Sequence, residues 1–206
     1  VKGLTNLSDV FSKIKKDFSG LGYIVFAKVV NAKHYGVAQN RERVIFIGFK
    51  EEDINGKILN PYPKEANDDE NIVTTRSILH DLPEPSESKD LSHRTYSKAK
   101  YYGRKVQGQT EINWDGVAPT IRSEHHGNIE FRRLSKEHGG TILDGPERRL
   151  SVRECARIQS FPDDYIFVQP GISGSEAYKI IGNAVPPLLA YAVGKHIAEN
   201  WKEWFM

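Results

Sequence analysis

Cysteine and methionine are nearly absent, with one of each in 206 residues. A lone Cys155 excludes an intrachain disulfide framework and a multi-cysteine zinc site, so a reducing, cytoplasmic setting is expected. The one methionine is Met206, at the end, whereas the chain starts Val1-Lys2-Gly3. Because translation starts with methionine, removal of an upstream segment is expected. No apolar run approaches the roughly 18 residues that span a bilayer. No charged-then-apolar leader opens the chain, so neither a membrane nor secretion is expected. A strong charge of one sign is missing too: 29 Lys and Arg face 27 Asp and Glu, net +2. That balance is too mild to diagnose a nucleic-acid protein by itself.

The distribution of charge says more than its sum. Acids (Glu51, Glu52, Asp53, Glu65, Asp68, Asp69, Glu70) dominate 51–90. From Leu91 to Leu150, Arg94, Lys98, Lys100, Arg104, Lys105, Arg122, Arg132, Arg133, Arg148 and Arg149 outnumber the acids. A basic central face is expected.

Leu7, Val10, Phe11, Ile14 and Phe18 recur at helical spacing, and Gly20 and Gly22 end the pattern before an apolar strand over Tyr23–Val30. Val44–Gly48 predicts a second strand buried on both faces, so the pair fits one edge of an α/β sheet. Residues 51–71 have loop composition, and a short helix is predicted over Thr75–Leu82 before Pro83 and Pro85. Residues 86–147 read as irregular with a few short strands. Ser151 and Glu154 spell a capping box for a helix that Pro162 ends. A last helix starts at Pro186 or Pro187 and runs towards Trp201.

Three motifs carry chemistry. Gln39-x-Arg41-x-Arg43 precedes a strand, where alternation puts all three side chains on one face and offers two rigid guanidinium forks to a phosphate or a polar base edge. The plain alternative is a charged strand edge that discourages aggregation. Along Arg149–Pro162, Val152, Cys155, Ala156 and Ile158 suit burial, while Arg153 and Arg157 face a partner segment or DNA. Cys155 among them reads as an inert small hydrophobe rather than a nucleophile. Gly182-Asn183-Ala184-Val185-Pro186-Pro187 allows a tight turn at Gly182 and presents an amide at Asn183. His125-His126 invites a metal, but adjacent histidines on a strand diverge and no ligand partner stands at metal spacing; no metal is expected.

Taken in order, these motifs resemble the eighth, ninth and tenth conserved motifs in the carboxy-terminal half of the DNA (cytosine-5) methyltransferases. That resemblance implies an α/β fold: the edge of a Rossmann-like S-adenosylmethionine-dependent methyltransferase domain plus a small, irregular, mostly β target-recognition domain. It implies 1–85 as part of the catalytic domain, 86–147 as target recognition, and 148–206 as two helices returning to the catalytic domain. Arg43 inherits a contact to the flipped target base, with Arg41 and Gln39 supporting it. Asn183, Ala184 and, less directly, Val185 inherit contacts to S-adenosylmethionine. Trp114–Arg122 resembles elements of the recognition region, where Arg122, Ser123, His125, His126, Asn128 and Arg132 are candidates for contacting double-stranded DNA. The chain departs from the family in lacking a glycine-rich cofactor loop and a Pro-Cys nucleophile. Val1-Lys-Gly-Leu looks like the stretch after the family's catalytic Glu-Asn. The family reaction joins thiolate attack on cytosine C6 to base flipping, so the nucleophile and acid would lie in a missing amino-terminal half, and the chain alone is expected to be inactive.

The implied protein acts on DNA in a restriction-modification setting, in the cytoplasm and on the nucleoid. One subunit of a split methyltransferase and a non-catalytic, sequence-specific DNA-binding module are the alternatives. A nuclease using His125 and His126 is a weaker one.

Overall fold

Local signals account for the first unit of a computed structural model that describes residues 7–56, 58–103, 106–123, 128–141 and 145–205. Helix α1 (Leu7–Ser19) has Asp9 in its first turn and Lys16 in its last, both favourable to the helix dipole. Gly22, at φ +80°, turns the chain into β1 (Tyr23–Asn31). β1 pairs antiparallel with β2 (Glu42–Lys50), from Tyr23 opposite Lys50 to Asn31 opposite Glu42. Between them a 3₁₀ turn, Ala32–Tyr35, is capped by the Asn31 side chain and released by Gly36 in the left-handed region. Phe11 of α1 meets Phe46 of β2 with ring centroids 5.2 Å apart.

Both strands run longer than expected, and β2 is half-buried rather than enclosed on both faces: Val44, Ile45, Phe46 and Ile47 are partly accessible. The reason is the size of the sheet. Among the described residues β1 and β2 pair only with each other, so Ile24 and Val29 remain exposed.

The chain returns to this hairpin at its end. α6 (Pro187–Glu199) starts with proline, where the missing N–H costs nothing, and sends the fully buried Leu189 among Val30, Ala32, Tyr35 and Val37. α7 (Trp201–Phe205) sets Trp204 edge-on to Phe49, with centroids 5.5 Å apart. Burial of a side chain such as Leu189 stabilises by about 1.5–3 kcal/mol.

A larger core joins distant parts of the sequence. Leu79 of α2 (Thr75–Leu79), Ile112, Trp114, Ile121 and Ile129 pack with Leu150, Cys155 and Ile158 and with Tyr178 and Ile181. The divisions expected after residues 85 and 147 fall inside this packing. The short strands β3 (Phe131–Arg133) and β4 (Arg148–Arg149) also pair across the second of them. The expected irregular stretch contains, among the described residues, a helical turn, α3 (Leu91–Arg94), capped by Asp90, and a 3₁₀ turn, Lys136–His138, capped by Ser135.

α2 stops at Leu79, three residues earlier than predicted. α4 (Val152–Ile158) has the expected capping box, with Ser151 and Glu154 each bonding the other's backbone. Its stop is Ser160, at φ +67°, rather than Pro162; the Ser160 hydroxyl accepts the Leu188 N–H at the start of α6. α5 (Gly174–Asn183) is missing from the sequence reading, although Ser173 and Glu176 form a second capping box there. Among the described residues no helix is long and apolar enough to cross a membrane.

Candidate functional site

The three residues of the Gln39-x-Arg41-x-Arg43 motif diverge. Gln39 and Arg41 lie ahead of β2, whose strand geometry begins at Glu42. Gln39 is fully buried and Arg41 is 2% exposed. Arg41 donates through Nη1 to the Ile121 carbonyl at 2.8 Å, and through Nη2 to the Gly182 carbonyl at 2.8 Å and the Ala184 carbonyl at 3.1 Å. Burial, with the nearby charge of Arg43 adding to it, pulls the Arg41 guanidinium down to about 10. It therefore remains a cation at neutral pH. Gln39 is enclosed, and the Arg41 guanidinium is committed to three carbonyls.

Arg43 is exposed and donates to the Glu42 carbonyl at 2.6 Å. Partial desolvation in a cleft lowers its pKa from the ordinary arginine value. That cleft holds about 670 Å³ and is lined by Arg41, Arg43, Val44–Phe46, Asn183–Val185 and the α6 residues Leu189, Ala190, Val193 and Gly194. Its volume is in the range of small-molecule sites. Val44, Ile45, Phe46, Val185, Leu189 and Val193 make its lining mostly apolar, and the exposed Asn183 and Arg43 add an amide and a guanidinium. This donor set suits a ligand with a flat apolar part and a polar tail. The residues expected to contact the base and those expected to contact the cofactor thus share one cleft.

Gly182 does not make the expected turn. It lies inside α5, one residue before the end, and its need for glycine is close approach: a Cβ there would stand 2.4 Å from the Arg122 carbonyl carbon and 2.5 Å from the Ser123 nitrogen. The segment entering the expected DNA contacts therefore rests directly on the helix that ends at Asn183.

Of the DNA-contact candidates, Arg122 is exposed, and Ser123 and Asn128 are partly buried. His125 and His126 lie outside the described residues. Arg132 is a correction. It is 7% exposed, with Nη1 2.8 Å from Glu154 and its guanidinium 4.7 Å above the Trp114 ring. A guanidinium committed in the interior is not available to a base edge.

Arg132 belongs to a buried ionic network that also changes the expected basic face. Arg133 and Arg148 both pair with Glu84, and Arg148 also pairs with Glu154. Arg149, fully buried, donates to the Ala99, Gly108 and Ile129 carbonyls. Four of the arginines counted towards a surface are therefore inside, because two carboxylates and a set of carbonyls compensate them. Arg94, Lys98 and Lys100 remain exposed. Arg104 and Lys105 lie outside the described residues.

Arg153 and Arg157 face partner segments of the same chain. Arg153 bonds Asp90 at 2.6 Å and the Pro162 and Tyr165 carbonyls, while Arg157 pairs with Asp81 and Asp163. Cys155 is fully buried, and burial, followed by the neighbouring Glu154 charge, pushes its thiol well above the ordinary range. It is no nucleophile. Among the described residues no group of three or more His, Cys, Asp or Glu side chains could hold a metal ion.

Sequence reasoning missed Gln159, fully buried at the end of α4 and bonded to Gln39 at 2.5 Å. Its only local signal was a polar residue among apolar helix neighbours.

Comparison with known proteins agrees with the motif reading. The family described as C-5 cytosine-specific DNA methylase matches residues 1–199. Type II methyltransferase M.MthTI of Methanothermobacter thermautotrophicus is 35% identical over 208 residues, covering 92% of this chain and 61% of that protein. Type II methyltransferase M.BsuRI of Bacillus subtilis is 35% identical over 222 residues, covering 98% and 48%. The chain thus spans about half to three-fifths of the length of these relatives. The solved structure of a putative DNA modification methyltransferase from a prophage (E. coli) superposes with a TM-score of 0.61 at 18% identity, covering 96% of this chain and 66% of that one. The Entamoeba histolytica methyltransferase EhMeth gives 0.60 at 12% identity, covering 93% and 58%. Both show a shared α/β methyltransferase fold.

Proposed function

Because the chain belongs to the C-5 cytosine-specific DNA methylase family, we propose that it is the carboxy-terminal part of an enzyme that transfers a methyl group from S-adenosylmethionine to C5 of cytosine in a specific DNA sequence. The relatives' names place them among type II methyltransferases, and we carry a restriction-modification role, on DNA in the cytoplasm, over to this chain. The single observation that carries the reading is the shared cleft: exposed Arg43 faces the same 670 Å³ space as Asn183–Val185.

In this reading Arg43 donates to the polar edge of a cytosine turned out of the duplex, and Arg41 keeps the strand start fixed through three carbonyls. Asn183 bonds the polar part of S-adenosylmethionine, while Val185, Leu189 and Phe46 exclude water from its apolar part. The cofactor supplies an electrophilic methyl group. Arg122, Ser123 and Asn128, with His125 and His126, contact DNA, and the recognition unit spans 86–147 with its core shared with the flanking helices. The nucleophilic cysteine and the catalytic acid come from a preceding segment, in the same polypeptide or a companion one. Exposed Ile24, Val29, Leu188 and Tyr191 support a covering of that kind, as does a sheet of only two strands among the described residues.

Complementation tests this. The chain alone should incorporate no labelled methyl groups into DNA, and mixing it with a polypeptide carrying Pro-Cys and Glu-Asn should restore incorporation. Methylation by the chain alone would refute the division of labour.

A further inference from the structure

Two buried side-chain amides, 120 positions apart, form a directional chain through the centre of the protein. Gln39 Nε2 donates to Gln159 Oε1 at 2.5 Å. Gln159 Nε2 donates in turn to the Ile181 carbonyl at 3.0 Å and the Ala184 carbonyl at 2.8 Å. At the other end, Gln39 Oε1 accepts the Ile121 N–H at 3.1 Å. An amide accepts at one end and donates at the other. Since Gln159 meets only carbonyls on its nitrogen side, its oxygen must face Gln39, which turns the Gln39 oxygen towards Ile121. Reversing either amide would set like groups together where both side chains are fully buried.

This chain links two places with different tasks. Ile121 leads into Arg122 and Ser123, and Ala184 lies between Asn183 and Val185. Arg41 spans the same gap with a charge, bonding the carbonyls of Ile121, Gly182 and Ala184. Gly182 brings the two backbones into contact, with no room for even a methyl group. Movement at one place must therefore be accommodated at the other.

We propose that Gln159 is a positioning residue that couples the DNA-facing segment at 121–123 to the cofactor-facing turn at 183–185, so that each ligand tightens the binding of the other. The inference rests on the functional reading above for what each side binds.

The test uses the chain assembled with its nucleophile-bearing segment, and measures affinity for a cognate duplex with and without S-adenosylhomocysteine, which cannot react. Wild type should bind the duplex about 5-fold or more tightly with that compound present. Gln159→Met, which keeps length but removes both polar atoms, should bring the ratio to about one and raise KM for both substrates more than it lowers kcat. A merely structural role would lower kcat through the active fraction and leave the ratio and both KM values unchanged; that result overturns the proposal. Gly182→Ala supplies an independent arm should the first variant not fold. Its Cβ presses Arg122 and the end of α5 apart, so the linkage ratio should fall towards one, and an unchanged ratio in this variant also counts against coupling. Wild type binding both ligands without linkage defeats this proposal alone. Binding of neither defeats the functional reading and this proposal with it.

Discussion

Glu154 receives Arg148 through both terminal nitrogens, at 2.9 and 3.0 Å, with the carboxylate wholly buried and the guanidinium nearly so. The same carboxylate accepts the Ser151 N–H that completes the α4 capping box. One buried charge thus serves helix start and ionic network together. Removal of Glu154 leaves buried Arg132 without its carboxylate and Arg148 with Glu84 alone. Glu154→Ala should cost about 3–5 kcal/mol in urea unfolding; a loss below about 1 kcal/mol would mean that Glu84 or solvent compensates Arg132 and Arg148.

Acid should weaken the same network. Partial burial alone would raise the Glu84 pKa, but hydrogen bonds from Arg133 and Arg148 outweigh it and hold the carboxyl at about 2, against 4.5 when unperturbed. Glu154 is lowered too: complete burial opposes ionisation, and Arg148 overcomes it. A carboxylate whose folded pKa is depressed contributes stability that is full above its unfolded value and is lost as pH falls towards the folded one. Thermal midpoints should therefore stay level down to about pH 4.5 and fall between there and about pH 2. Glu84, partly exposed, contributes on the order of 2 kcal/mol after allowance for solvent screening. A midpoint that rises on acidification through this window would contradict the assignment.

Arg41 and Arg43 should separate stability from activity. Arg41→Ala takes the guanidinium from the Ile121 and Gly182 carbonyls and leaves the Ala184 carbonyl to Gln159 alone, and should lose about 2–3 kcal/mol of stability. Lysine should not restore it, since one ammonium cannot reproduce the planar fork. Arg43→Ala should leave stability within about 0.5 kcal/mol and lower kcat/KM of the assembled enzyme roughly 5–150-fold, the value of one good contact to a base edge. Equal losses of stability in the two variants would remove the distinction drawn between them.

Cys155 should resist modification. An aromatic disulfide reagent should react with the native protein only as fast as the core opens, and promptly in concentrated urea. Cys155→Ala should leave methylation by the assembled enzyme intact. Rapid labelling of the native thiol would show the core to be open.

Elements with local signals were legible in the sequence. The α1 periodicity, the β1 run and the Ser151–Glu154 box each specify structure within a few residues. α5 carried the same kind of signal in Ser173 and Glu176, with Ala177, Tyr178 and Ile181 on its buried side. What could not be read locally was the fate of the arginines. Arg132, Arg133 and Arg148 go inside only because Glu84 and Glu154 meet them, and those pairings span up to 64 positions. Nor does the pattern of alternate residues at Gln39, Arg41 and Arg43 reveal that two are buried and one is exposed. Their depth is set by Gln159, Ile121 and the end of α5, all at least 80 positions away.

The large core bears on how DNA specificity could be exchanged between relatives. A graft cut at 86 and 147 would sever Leu79 from Trp114, separate β3 from β4, and leave Ile112 and Ile129 to pack against a foreign α4 and α5. The smallest transferable piece that keeps its own interior runs from Thr75 to Asn183. A chimaera made that way meets the host at the Gln39 and Arg41 contacts, at the backbone bonds of Ala118 to Ala38 and Asn40, and at the bond from Gln159 to Ala184, so compatibility rests on matching Ala118, Ile121 and Gln159 to those host groups.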